Sequence, residues 1–155
     1  MIQRIQSLYM LAGFILAIAL FFVPVASFDM TGGETFTFTI IDFQALLKME
    51  LERQVFITPF ITNILAAAIL VVNIFLYKNR KLQRRLLMVT VVVNLSTLGG
   101  LFYLADQIQS LPEVISRASY MSGIYFPLAI LLFLVLANKG IRKDEKLLRS
   151  ADRLR

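Results

Sequence analysis

The sequence predicts an all-α membrane protein: a four-transmembrane-helix bundle with a small extracytoplasmic β-hairpin and a cytoplasmic amphipathic C-terminal helix. Of the 155 residues, 58% are hydrophobic, whereas a soluble domain has roughly 45–50%. Four runs contain no charged residue, and each is long enough to cross a hydrocarbon core of about 30 Å as a helix. We predict a single membrane domain over residues 1–155, with spans at residues 5–28, 58–77, 86–105 and 118–138.

The basic residues predict the orientation of the bundle. The segment between the second and third spans is rich in cations and contains no acidic residue, which indicates the cytoplasmic side. Arg4 and the tail 139–155 add cations to that side, whereas the outer connections contain only Lys48, Arg53 and Arg117. Four spans therefore place both termini in the cytoplasm. The cations of the segment between the second and third spans are Lys78, Arg80, Lys81, Arg84 and Arg85.

The first apolar run has an alternative interpretation. Val25, Ala26 and Ser27 form an acceptable cleavage site, so residues 1–27 would then be a signal peptide. The apolar core is longer than the usual ~7–15 residues, and the basic region before it is reduced to Arg4. These two features favour a retained helix.

The outer loop, residues 29–53, predicts a small hairpin followed by a short helix. Residues 31–34 form a turn signal, and residues 35–40 alternate with a period of two, as a half-buried strand does. We expect residues 28–30 to pair with residues 35–40, and Asp42 to cap a helix over residues 43–52. An isolated hairpin is marginal in water, so its apolar face must pack against other groups. A lid over the helix ends is the favoured role, and a ligand-binding loop is the alternative.

Polar residues and prolines within the spans predict how the helices begin and pack. Thr58 and Pro59 resemble an N-cap and a first helical position. Asn63, Asn73 and Asn94 are candidate intramembrane polar contacts, because amides hydrogen-bond across helix interfaces. A path for a polar solute is the alternative role for these asparagines.

Two features of the last third of the chain predict a bend and a helix end. Pro127 predicts a kink near residues 123–127, as a static bend or as a hinge. Gly140 predicts the end of the fourth helix. The tail that follows has apolar residues at helical spacing, so it predicts an amphipathic helix that lies on the membrane or docks on the basic segment or a partner. The candidate contacts to a partner or to lipid are Arg80, Lys81, Arg84, Arg85, Arg149, Asp152 and Arg153.

The composition argues against most enzyme chemistry. Cysteine and histidine are absent, which excludes disulfides, thiolate nucleophiles, His- or Cys-held haem and the usual nitrogen and sulfur metal ligands. The spans contain no ionisable Asp, Glu, Lys or Arg of the kind that proton relays need. We therefore expect no catalytic, cofactor-binding or metal-binding residue. Because the cations flank apolar segments, we expect membrane lipids as partners rather than nucleic acid, together with a protein partner or a second copy of the chain.

The two ends of the chain carry a family resemblance. Residues 1–9, MIQRIQSLY, and residues 144–155, DEKLLRSADRLR, resemble a family of small four-span inner-membrane proteins of unknown function from Bacteroidetes-type bacteria. The resemblance implies the inner membrane of a Gram-negative cell and supplies no activity or cofactor. Gln3, Gln6 and Asp152 also suggest that the polar termini carry specificity.

These observations favour a non-enzymatic accessory or scaffold subunit that binds a partner or anionic lipid at its cytoplasmic face. Two alternatives remain. One is a protein that handles a small solute or a lipid in a groove between the region of Asn63 and Asn94 and the Pro127 kink. The other is a sensor that reads an outer stimulus through residues 31–40.

Overall fold

The computed structural model describes residues 3–41, 53–76 and 79–152, with side chains described at residues 5–41, 57–76 and 79–143. These described residues form four α-helices, three short strands and one turn of 3-10 helix. In chain order these are α1 (Gln3–Ala19), β1 (Ala26–Asp29), β2 (Thr35–Phe38), α2 (Arg53–Phe75), α3 (Arg80–Gln109), β3 (Ser119–Tyr120), the 3-10 turn (Ser122–Ile124) and α4 (Tyr125–Asp152).

The four helices form a closed ring in which each helix packs against two others. Helix α1 contacts α2 and α4, and α3 contacts the same two helices. Within the described part of the chain, three helical segments are long and apolar enough to cross a membrane: Ile57–Phe75, Arg80–Gln109 and Ser122–Lys143. The apolar part of α1, Ile5–Ala19, is shorter.

Helix α1 ends at Ala19 rather than near residue 28. The amide N–H groups of Phe21 and Phe22 donate to carbonyls three residues earlier, so the chain tightens as the helix ends. Pro24 has no N–H and disfavours helical geometry at the residue before it. Val25 then joins the sheet, where its N–H donates to the Phe38 carbonyl oxygen at 2.8 Å.

The predicted hairpin is confirmed, and the sheet has one strand more than expected. Ala26 to Asp29 of β1 pair antiparallel with Phe38 to Thr35 of β2. The turn closes with a 2.9 Å bond from the Met30 N–H to the Glu34 carbonyl oxygen, and Gly33 takes a positive φ of 78° that suits glycine. Strand β3 pairs with the other edge of β1, giving the order β2-β1-β3. The predicted helix over residues 43–52 and its Asp42 cap lie outside the described residues.

The sheet covers one end of the helix ring. Phe38 and Ile40 of the predicted apolar face are buried, and Phe36 is partly buried. They share a core with the last turns of α3, where Leu101 and Leu104 have no exposed surface. The second core cluster, which includes Met10, Leu70, Leu87, Ile130 and Leu134, lies further along the bundle.

The starts of α2 and α3 differ from the prediction. Helix α2 begins at Arg53, so Thr58 is not its N-cap and Pro59 lies inside it. The buried Pro59 packs against Gly100 of α3, where a Cβ would lie 3.4 Å from the Pro59 Cδ. Helix α3 begins at Arg80, with Asn79 as its N-cap. The predicted basic turn is therefore mostly the first turns of a helix.

Helix α4 also differs from the prediction at two positions. Pro127 lies in its first turn, where a missing N–H costs little, so the predicted interior kink is wrong. Gly140 does not end the helix, which continues to Asp152. A Cβ on Gly140 would lie 2.8 Å from the Gln6 Cγ, so the glycine instead allows α4 to approach α1 closely. The tail is a continuation of α4 and not a separate helix.

Candidate functional site

The bundle buries its polar side chains and exposes apolar ones. Asn63, Asn73, Thr90, Asn94 and Thr97 have no exposed surface. Large apolar side chains are exposed on every helix of the ring, which is the reverse of the pattern in a water-soluble bundle. They include Leu8 and Ile15 on α1, Ile61 and Phe75 on α2, Val92 and Leu95 on α3, and Leu128 and Leu132 on α4.

The buried polar groups of α3 lie on one face of the helix. Gln83, Thr90, Asn94 and Thr97 follow one another at intervals of seven, four and three residues, which places them on one seam of the helix. The buried apolar residues Leu87 and Leu101 occupy the same seam. The asparagine had been predicted as a polar contact, whereas Gln83 and Thr97 had not. The spacing was the signal that could have identified them.

A first group of polar contacts, here called the central polar layer, joins the helices through Thr62, Asn63, Asn94 and Thr97. The Asn63 Nδ2 donates to the Ala17 carbonyl oxygen of α1 at 2.8 Å, and the Asn94 Nδ2 donates to the Pro127 carbonyl oxygen of α4 at 2.9 Å. The Thr97 hydroxyl lies 2.9 Å from the Thr62 hydroxyl. The layer thus connects α2 to α1 and α3, and α3 to α4.

A second group of polar contacts lies at the end of the bundle where α2 gives way to α3. The Gln83 Nε2 donates to the Asn73 carbonyl oxygen at 3.2 Å and faces the Met10 Sδ of α1 at 3.9 Å. The Asn73 side-chain amide is assigned the orientation in which both its nitrogen and its oxygen form hydrogen bonds. Its nitrogen then donates to the Gln83 backbone carbonyl oxygen at 3.1 Å, and its oxygen accepts from the Leu87 N–H at 3.3 Å. These contacts fix the α2–α3 corner.

The basic residues at the start of α3 lie at this same end of the bundle. Lys81 and Arg85 are exposed, and Arg80 and Arg84 are partly buried. The Nη1 of Arg80 is buried and has no hydrogen-bond partner among the described residues. Cations near a helix N-terminus interact unfavourably with the helix dipole, so helix stability does not explain their position. The start of α3 thus gathers four cations at one end of the bundle.

The remaining candidate residues lie on the last part of α4 or beyond it. Arg149 and Asp152 belong to α4, but their side chains are outside the described part of the structure. Arg153 lies outside the described residues altogether. The predicted contact of these three residues with the start of α3 therefore lies outside the described part of the structure.

At the opposite end of the bundle, the connection between α3 and α4 is hydrogen-bonded to the hairpin. The Thr31 N–H donates to the Glu113 carbonyl oxygen and the Ile115 N–H to the Asp29 carbonyl oxygen, both at 2.9 Å. The Asp29 N–H donates to the Ser116 hydroxyl at 2.8 Å. Among the described residues, no group of three or more Asp or Glu side chains is arranged to hold a metal ion.

The comparison with known proteins identifies the family. No curated protein and no solved structure is significantly similar to this chain. A family model described as a domain of unknown function (DUF4293) matches residues 2–154. Because this match extends over nearly the whole sequence, the chain belongs to the DUF4293 family.

Proposed function

We propose that this protein is a four-span integral membrane protein and a non-enzymatic accessory or scaffold subunit, which binds a partner protein or anionic lipid at its cytoplasmic face. The distribution of polarity is the observation that carries the membrane proposal. Exposed apolar side chains surround a ring whose interior holds the amides and hydroxyls. In water this arrangement would be unfavourable, whereas in lipid it satisfies the polar groups internally.

The helix lengths fit this proposal with one adjustment. Helix α3 has 30 residues and is about 45 Å long, which exceeds a hydrocarbon core of about 30 Å. Its basic start can therefore reach the headgroups. Helix α1 has 17 residues and is only about 25 Å long. In the proposed arrangement the apolar turns after Ala19, including the exposed Phe22, complete the first span.

The distribution of the cations supports an orientation with both termini in the cytoplasm. The cations at the start of α3 and on the last part of α4 would then meet anionic headgroups or an acidic partner surface. The sheet would cover the outer end of the bundle. The Bacteroidetes origin and the inner membrane are implied by the resemblance of the two chain ends.

Cysteine accessibility tests the orientation directly, because the natural chain has no cysteine. Thr35 and Lys81 are both exposed and lie at opposite ends of the bundle. In intact spheroplasts, Thr35→Cys is expected to react with a membrane-impermeant maleimide, and Lys81→Cys is expected to react only after permeabilisation. The reverse pattern would refute the orientation. Equal labelling of both variants before permeabilisation, or a protein that stays soluble without detergent, would refute the membrane placement.

Substitution of the tail tests the scaffold proposal. A variant with Arg149, Asp152 and Arg153 replaced by alanine is expected to lose a specific partner in affinity purification from native membranes in mild detergent. Glu34→Ala, which removes an exposed charge at the opposite end, is the matched control and should keep that partner. If the partner set is the same in both variants, the tail is not the binding surface.

Lipid binding at the basic start of α3 has its own readout. Lys81→Gln combined with Arg85→Gln removes two exposed cations, each worth about 1 kcal/mol near an anionic surface. We expect less anionic phospholipid to co-purify with this variant than with the native protein. The solute-handling and sensor alternatives remain predictions, although a hinge at Pro127 no longer supports the sensor.

A further inference from the structure

Two oxygen atoms in the central polar layer have no hydrogen-bond partner among the described residues. They are the Oδ1 atoms of Asn63 and Asn94, and both residues are fully buried. Each amide uses its nitrogen to bond a backbone carbonyl of a neighbouring helix, which leaves its oxygen without a donor. A buried acceptor without a donor is unfavourable, because it has lost its hydrogen bonds to bulk water without replacing them. Asn73, which is equally buried, satisfies both ends of its amide.

The two oxygens lie at a similar height in the bundle. The 2.9 Å contact between the hydroxyls of Thr97 and Thr62 shows that these two residues of α3 and α2 lie at the same height along the bundle axis. Asn63 follows Thr62 directly, and Asn94 precedes Thr97 by about one helical turn. Both unpaired oxygens therefore belong to the same layer of the interior.

The hydroxyls nearby have already used their donor capacity. Each threonine hydroxyl has one proton and two lone pairs. The Thr97 hydroxyl is within bonding distance of the Thr62 oxygen and of the Val93 carbonyl oxygen at 3.2 Å. The Thr62 hydroxyl donates to the Thr58 carbonyl oxygen at 2.9 Å. The layer thus has an excess of acceptors, and the group that completes it must be a hydrogen-bond donor.

The surroundings allow a small neutral donor. Small buried residues line the interior within about one turn of the contact between Ala17 and Asn63. A Cβ on Gly13 would be in ordinary van der Waals contact with Leu70 at 3.6 Å and Ile130 at 3.9 Å, so α1 is not pressed against its neighbours there. The buried polar residues of the described chain are amides and hydroxyls without a carboxylate, so a cation would have no countercharge. The small buried residues near the contact between Ala17 and Asn63 are Gly13, Ala17, Ala66 and Ala67.

We propose that the central polar layer is a water-binding site, in which bound water donates hydrogen bonds to the Oδ1 atoms of Asn63 and Asn94. Buried water of this kind satisfies otherwise unpaired polar groups and forms part of a protein structure. The site links α1 and α2 on one side to α3 and α4 on the other. The inference rests on the interior contacts alone and does not depend on the membrane or partner proposals.

Water-to-protein cross-relaxation in NMR tests this site in the native protein, labelled and held in lipid nanodiscs. Long-lived bound water is expected to give cross-peaks of opposite sign in NOE and ROE spectra at the side-chain amides of Asn63 and Asn94. The satisfied Asn73 amide should show no such pair of peaks. The exposed Asn79 amide should show only same-sign peaks from proton exchange with bulk water.

Two results would overturn the proposal. One is the absence of opposite-sign peaks at both Asn63 and Asn94 while the exchange peaks at Asn79 are present. The other is their disappearance when alkali cations are replaced by a bulky organic cation, since the water would then belong to the hydration shell of a bound alkali ion. Retention of the peaks after that replacement supports water.

Discussion

Gly123→Ala is expected to destabilise the protein by about 2–3 kcal/mol, as overpacking against atoms that cannot move does. A Cβ at this position would lie 2.7 Å from the Pro24 carbonyl oxygen and 3.0 Å from the Val23 carbonyl oxygen. Both are backbone atoms, so no side-chain rotation relieves the clash. The Gly123 N–H also donates to the Pro24 oxygen at 3.0 Å, and this bond would be lost if the segments separated.

Thermal unfolding of the purified protein, followed by far-UV circular dichroism, measures this effect. For a chain of this size the loss corresponds to a fall in Tm of about 4–12 °C. Gly99→Ala is the matched control, because its Cβ would meet no atom within 4 Å. Alanine in that exposed helical position should be neutral or stabilising by up to about 1 kcal/mol. Equal Tm values for the two variants would show that the contact between residue 123 and Pro24 is not close.

The helices and the hairpin could be predicted from local patterns. Charge-free apolar runs indicated the helices, and the alternation of residues 35–40 indicated a strand whose Phe38 and Ile40 are indeed buried. The Thr-Gly-Gly-Glu turn was recognisable because its geometry depends on neighbouring residues only. Strand β3 was not recognisable, since its two residues become a strand only by pairing with β1.

The errors concern residues whose role depends on another part of the chain. Gly140 had the local pattern of a helix end, but it serves the contact between α4 and Gln6 of α1. Pro59 had the pattern of a helix start, but it packs on Gly100 inside a longer helix. Local propensity competes with packing in such cases, and the packing partner is distant in the sequence.

The buried asparagines could be predicted, but their partners could not. Their polarity within apolar runs marked Asn63, Asn73 and Asn94 as contacts between helices. The acceptors of Asn63 and Asn94 are the backbone carbonyls of Ala17 and Pro127, which no residue type reveals. The sequence also does not reveal that the oxygens of these two amides lack a donor. An amide side chain can form up to four hydrogen bonds, and the neighbouring helices decide how many of them are formed.

Phe38→Ala is expected to have the largest effect of the substitutions proposed, about 3–5 kcal/mol of lost unfolding free energy. Phe38 has no exposed surface and lies in the core cluster that joins the sheet to Leu101 and Leu104 of α3. Its removal leaves a cavity at the centre of this contact, so the sheet loses much of what holds it on the helix ends. The backbone bond from the Val25 N–H to the Phe38 carbonyl oxygen can still form, which limits the change to packing.

The expected loss should be concentrated at the sheet rather than spread over the bundle. Hydrogen exchange should become faster at the amides of β1 and β2, while the amides of α3 around Asn94 keep their protection, since the central polar layer does not involve Phe38. Thr37→Ala is the matched control, because Thr37 is the exposed neighbour on the same strand. It should change the unfolding free energy by no more than about 0.5 kcal/mol. Similar exchange rates in both variants would mean that contacts other than those of Phe38 hold the sheet on the bundle. Uniform loss of protection through α3 would mean that the sheet and the bundle unfold as one unit.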